Sequence, residues 1–187
     1  GVGWDGAGPL TAVDADLADA LAGMADDPVD VCRVAQGLLM LPDLAPAFGL
    51  PDHRQDERSI RSASGVLRRA RELDPSPLGH EREPVHRVIG TCRHFALLST
   101  ALLRHRSIPA RARCGFASYF VPGKHVVHWI TVFRDGTGRW VQVDAEILDL
   151  AVVEQLGEAD DRVERRPELV RHAREELALV AARRGDA

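Results

Sequence analysis

The chain lacks most of the features that decide a protein's class at a glance. Cysteine is scarce: three in 187 residues, an odd number with no C-x-x-C pair, which argues against a disulfide scaffold and fits a reducing compartment. No apolar run approaches the ~18 residues that cross a bilayer, so no membrane association is expected. Positive charge is not in excess: 24 Lys and Arg against 28 Asp and Glu leave −4 with His neutral, which excludes a general nucleic-acid binder. There is no calcium loop of the D-x-[DN]-x-[DN]-G kind, no internal repeat and no low-complexity tract. No charged-then-apolar leader opens the chain; it starts at Gly1 rather than Met, as a processed chain would, and a cytoplasmic location is expected. What is present is ordinary globular composition, 45% hydrophobic and 28% charged. One domain over 1–187 is expected, large enough to bury roughly 70% of its unfolded surface without a structural metal.

Residues 1–87 read as a mainly helical region. Leu10, Val13, Leu17, Leu21 and Met24 recur at three- and four-residue steps, which predicts one buried helical stripe. Asp27-Pro28 is an N-cap and first-turn pair, and Val31, Val34, Leu38 and Leu41 carry a second helix until Pro42 stops it. The proline-bearing stretch 44–53 reads as a loop. A charged third helix is expected over 55–73, with Ile60, Val66, Leu67 and Leu73 inward, and a polar loop then leads to Val88.

The pattern changes in the region 88–150. Thr91 caps a helix from Cys92 to about His105, with Phe95, Leu98, Leu102 and Leu103 on its apolar side. Three strand-like segments come next, over 110–120, 126–134 and 139–143, and Asp135-Gly136-Thr137-Gly138 turns the last two into a hairpin. Residues 151–187 form a C-terminal helical region, with an amphipathic helix from Pro167. Helices followed by a helix laid on an antiparallel sheet give an α+β architecture.

Three residues stand out by placement. Cys92 falls at a helix N-terminus, where free N–H groups and the helix dipole favour thiolate and can hold an oxyanion. His128 and Asp144 lie on paired strands, close enough for a carboxylate to orient an imidazole. Each also has a plainer reading: a core cysteine, a satisfied core histidine, and an aspartate capping the segment after its strand.

Gly90-Thr91-Cys92-Arg93-His94-Phe95-Ala96, then Ile108-Pro109-Ala110-Arg111-Ala112-Arg113-Cys114-Gly115-Phe116, His128-Trp129-Ile130 and Trp140-Val141-Gln142-Val143-Asp144 resemble, in order and spacing, the transglutaminase-like cysteine-enzyme superfamily. Ala35-Gln36-Gly37-Leu38-Leu39 and Tyr119-Phe120-Val121-Pro122-Gly123 are similar to an uncharacterised bacterial subgroup of it. The resemblance implies a papain-type core with Cys92 as nucleophile, His128 as base and Asp144 as orienter. Ser107 departs from the glycine usual before Ile108-Pro109, and Val127 and Thr131 stand where the subgroup carries acidic residues, which puts the identity of the reaction in question. Membership names a mechanism class and not a substrate. The expected function is thiol-dependent acyl transfer on an amide or thioester, forming or cyclising amides in small-molecule or peptide biosynthesis. The alternatives are a cysteine peptidase or amidase, and a non-catalytic binding protein with a degenerate site. The partner is a small-molecule or peptide acyl substrate, free or held on a carrier protein; no cofactor and no metal is expected.

Secondary candidates complete the reading. Trp129 either packs in the core or walls the substrate groove. Arg111 and Arg113, with Arg104 and Arg106, form a basic cluster that is either a solvated face or a dock for an anionic substrate. His125 points away from His128 on the same strand and reads as a surface residue. His94 reads as solvated or capping, and a zinc site from Cys92, His94 and His128 lacks paired ligand spacing. Cys114 reads as packed and Cys32 as core.

Overall fold

The computed structural model describes residues 6–117 and 124–148. The expected C-terminal helix from Pro167 and the tip residues 118–120 of the first strand lie outside them. Among the described residues, helices gather on one side of a three-stranded antiparallel sheet, an α+β arrangement.

The first expected helix is much shorter than its stripe. α1 spans Ala15–Ala18 and passes into a 3-10 turn at Asp19–Leu21. Leu17, Leu21 and Met24 are buried, whereas Leu10 is half exposed and lies ahead of the helix. α2 spans Pro28–Leu38 and begins as the Asp-Pro pair dictates, the Asp27 carboxylate accepting from the N–H groups of Val29 and Asp30. It stops at Leu38 because Leu39–Met40 turns extended as β1, pairing in parallel with β2, Val88–Ile89. The stretch 44–53, expected as a loop, contains a 3-10 turn at Ala45–Phe48.

The third expected helix is broken in two. Asp52–Ser59 is a 3-10 helix, Ile60 is extended, and α3 restarts at Ala63–Leu73. Ser62 caps the restart through Gly65 N–H. The break places buried Glu57 against Arg54 three residues before it and within reach of the distant Arg69 and Ile89 N–H.

α4 runs Cys92–His105, as the sequence indicates. β3 (Ala110–Ala117), β4 (Val126–Arg134) and β5 (Trp140–Val143) form the meander in the order β3-β4-β5. α4 packs on this sheet: Thr131 Oγ1 donates to Ala96 O across the interface. Leu98 and Leu102 share one core with Ala110, Phe133 and Val143, and with Leu17, Leu21, Val31 and Leu38 from the N-terminal helices.

Candidate active site

Cys92 is placed by the residues that precede it. The β1–β2 bridge ends with Gly90 N–H donating to Met40 O at 2.8 Å, and the chain then turns straight into α4. A side chain at 90 does not fit: its Cβ would lie 2.8 Å from His94 Cβ and 3.0 Å from Leu39 Cδ2. The Thr91 N–H donates to His94 Nδ1 at 3.1 Å, half of a capping box closed by histidine. His94 Nε2–H donates to Ile60 O at 2.9 Å. Both ring nitrogens are thereby engaged in a fully buried ring, and burial together with the Arg93 charge holds its pKa below the ordinary value. His94 is therefore a neutral cap and not a solvated residue, which removes it from any metal or base role at the thiol.

A second anchor lies further upstream. Buried Glu57 accepts from Arg54 at 2.8 and 3.0 Å, from Arg69 at 3.0 Å and from the N–H of Ile89 at 2.8 Å. Arg54 in turn donates to the carbonyls of Val85 and Arg87. This network staples residues 85–89 to the 3-10 helix, three residues before the thiol. Burial alone would raise the Glu57 carboxyl pKa, but its Arg54, Ile89 and Arg69 donors outweigh that and lower it. The sequence signal for it was the i,i+3 pair Arg54 and Glu57, unread among many surface charges.

His128 and Asp144 meet across the hairpin. Thr131 pairs with Val143, so continuing the register sets Asp144 opposite Ile130, on the same sheet face as His128. His128 Nε2 lies 2.7 Å from Asp144 Oδ2, with both side chains buried. The ring is also hydrogen-bonded to Cys92; with Nε2 on the carboxylate, Nδ1 is the nitrogen that faces the thiol. Burial pulls the His128 pKa down, but the hydrogen bonds to Asp144 and Cys92 and the charges of Asp144 and Glu146 prevail and push it up to about 10. At neutral pH the ring is an imidazolium, the partner a thiolate requires.

One residue near the thiol escaped the sequence reading. Asp144 Oδ1 accepts from the Glu146 N–H at 3.1 Å and its carbonyl from the Ile147 N–H at 3.2 Å, a turn that brings Glu146 back toward α4. A Glu146 carboxylate oxygen, Cys92 Sγ and a His128 ring nitrogen all lie within 4.8 Å of one another. The signal was present as two carboxylates in one strand-end turn, Asp144-Ala145-Glu146. Glu146 and Phe95 also line a cleft of about 480 Å³ together with Gln36, Leu39, Met40 and Leu44 and the charged Glu83 and Arg87.

Residues 57–145 match the family model of the transglutaminase-like superfamily. Those residues are similar to the core of that superfamily. No curated protein and no solved structure matches the chain significantly. Superfamily members are generally cysteine-dependent enzymes, and the match spans Cys92, His128 and Asp144 but not Glu146.

The remaining candidates distribute around the matched residues. Trp129 is half-buried opposite Cys114 and leaves β4 on the other face from His128. Arg113 is exposed opposite Ile130, on the His128 face and two residues along the ladder. Arg111 lies over the Trp140 ring, 4.6 Å from its centroid. Arg104 donates to Ala110 O and Thr11 Oγ1, and Arg106 reaches Met24 O, so these two tie α4 to its neighbours instead of forming a free basic face. His125 is exposed. Cys114 is exposed and not packed, because β3 beyond Arg113 is open to solvent. Cys32 is buried in the core, and burial pushes its thiol up to about 12. No described helix is long and apolar enough to cross a membrane.

Proposed function

We propose that the chain is a thiol-dependent acyltransferase. The single observation that carries this reading is the hydrogen-bonded sequence Cys92–His128–Asp144 at the N-terminus of α4. The Cys92 thiolate attacks an amide or thioester carbonyl, and the N–H groups that open α4 hold the oxyanion. His128 gives its proton to the departing amine or thiol. It then takes one from the acceptor, whose attack on the thioester releases the thiolate again. Asp144 holds the ring in the orientation that presents Nδ1 to sulfur.

Glu146 favours an amine over water as the acceptor. A carboxylate beside the thiol attracts an ammonium group, which must pass one proton to the carboxylate or to solvent before the free amine attacks, and it leaves neutral water indifferent. Amide formation or cyclisation on a small-molecule or peptide acyl donor, free or carrier-bound, fits that charge. The cleft beside Phe95 gives the donor room, and Arg113, on the face of His128, is placed to meet an anionic group on it.

The test is covalent trapping. The full chain is incubated with a panel of thioesters and primary amides, with and without a primary amine, and intact and peptide masses are read. The reading expects an acyl adduct on Cys92 alone, absent in Cys92→Ala and slowed ~100-fold or more in His128→Ala, and discharged faster by amine than by water. Faster discharge to water would turn the reading to a hydrolase. A Cys92 that reacts with iodoacetamide no faster at pH 6 than the exposed Cys114 would end the enzyme reading altogether.

A further inference from the structure

We propose that Cys92, His128 and Glu146 together form a binding site for a thiophilic divalent cation of the Zn2+ type, and that the bound ion silences the thiol. Three donors of the kinds zinc takes, a thiolate, an imidazole and a carboxylate, converge with every pair of ligand atoms within 4.8 Å. Zn–S and Zn–N bonds of ~2.3 and ~2.0 Å put tetrahedral ligand atoms about 3.5 Å apart. Side-chain adjustments of about an ångström therefore close the three donors on one ion.

A second, independent feature points the same way. The distal nitrogen of His128 is held by Asp144 at 2.7 Å, the carboxylate–histidine arrangement that fixes the ring of metal-ligating histidines and raises its basicity. Asp144 also fixes the third ligand, since its other oxygen accepts the Glu146 N–H. One aspartate thus orients two of the three donors. Cys92 and Glu146 are only half-buried, so an ion can enter from the open side and keep a fourth position for water. His94, fully engaged at Thr91 and Ile60, takes no part.

The consequence is a competition for one sulfur lone pair. With the ion bound, the His128 nitrogen facing the thiol has lost its proton to solvent and ligates the metal, and Cys92 sulfur donates to the metal and is no longer a nucleophile; removing the ion lets the ring take up a proton again and restores its hydrogen bond to the sulfur. The cation site stands or falls separately from the acyl-transfer reading, because binding needs no substrate.

The experiment uses the full chain carrying Cys114→Ser, which removes the exposed thiol, and titrates it with Co2+ and then with Zn2+. One equivalent of Co2+ is expected to give a sulfur-to-cobalt charge-transfer absorption that Zn2+ displaces. The band should vanish in Cys92→Ser and the affinity should fall tenfold or more in Glu146→Gln, with Glu146→Asp intermediate. In the chain with Cys114 restored, Zn2+ should slow iodoacetamide at Cys92 at least tenfold and leave Cys114 unchanged. The proposal is overturned if no band forms, if it survives Cys92→Ser, or if Glu146→Gln binds as tightly as the parent. Failure of the acyl-trapping experiment alongside a positive titration would leave the cation site standing and remove only the enzyme reading.

Discussion

Replacing Asp144 by asparagine tests the electrostatics on which the site depends. In the native chain the buried His128 ring keeps its proton because Asp144, Cys92 and Glu146 together overcome burial, and its pKa is pushed up to about 10. The ordinary value is ~6.5, so the displacement is about 3.5 units, or about 5 kcal/mol at 1.36 per unit. Asp144 supplies both a hydrogen bond and a charge to that total. Removing one partner of a buried charge pair costs about 3–5 kcal/mol. An asparagine keeps the shape and a hydrogen bond but not the charge, and the burial that opposes protonation stays. The ring should then titrate clearly below its native value of about 10. The raised native pKa sets the sign for stability. The contribution is fully present below ~6.5 and is lost as pH rises through about 10, so Asp144→Asn should cost most in neutral and mildly acidic solution and nothing above pH 10. Urea unfolding at pH 6, 8 and 10 measures this, and the proton resonances of the His128 ring measure the titration directly. A ring that titrates at the same pH in both proteins, or a destabilisation equal at all three, would refute the reasoning.

Two further substitutions probe how the thiol is positioned. Glu57→Gln leaves Arg54 buried without its carboxylate and should lower stability by about 3 kcal/mol or more and disorder the approach to Cys92. Because the Glu57 carboxyl pKa is held low, its contribution is present above the ordinary carboxylate range and fades as pH falls, so the parent and the variant should converge in acid; urea titrations at pH 7 and pH 3.5 read the difference. Gly90→Ala forces a Cβ to 2.8 Å from His94 Cβ and should lower stability by about 1–3 kcal/mol, with a change in the alkylation rate of Cys92 but not of Cys114.

The parts of this molecule that were readable in advance are those set by short-range rules. Asp27-Pro28, Thr91-Cys92 and Asp135-Gly136 each carry a cap or turn whose geometry depends on neighbours within four residues, and each starts or turns its element as expected. The hairpin register followed from its turn, and with it the approach of Asp144 to His128. The misread elements are those decided by distant partners. The 55–73 helix splits because Glu57 answers to Arg69 and Ile89 N–H as well as to Arg54. α2 ends early because Leu39–Met40 finds Val88–Ile89, some fifty residues on. Glu146 was passed over because a carboxylate in a strand-end turn is ordinarily wet, and only the Asp144 turn directs it to the thiol.

The shared core has a consequence for where this unit begins. The superfamily match opens at residue 57, yet Leu17, Leu21, Val31, Cys32 and Leu38 are fully buried in the cluster that also holds Leu98 and Leu102 of α4. A fragment cut at the homology boundary would present the back of α4 to water, and it would lose the β1 strand on which Val88–Ile89 and Gly90 are hung. The matched segment and the buried core therefore have different edges. The N-terminal helices form the wall against which α4 rests.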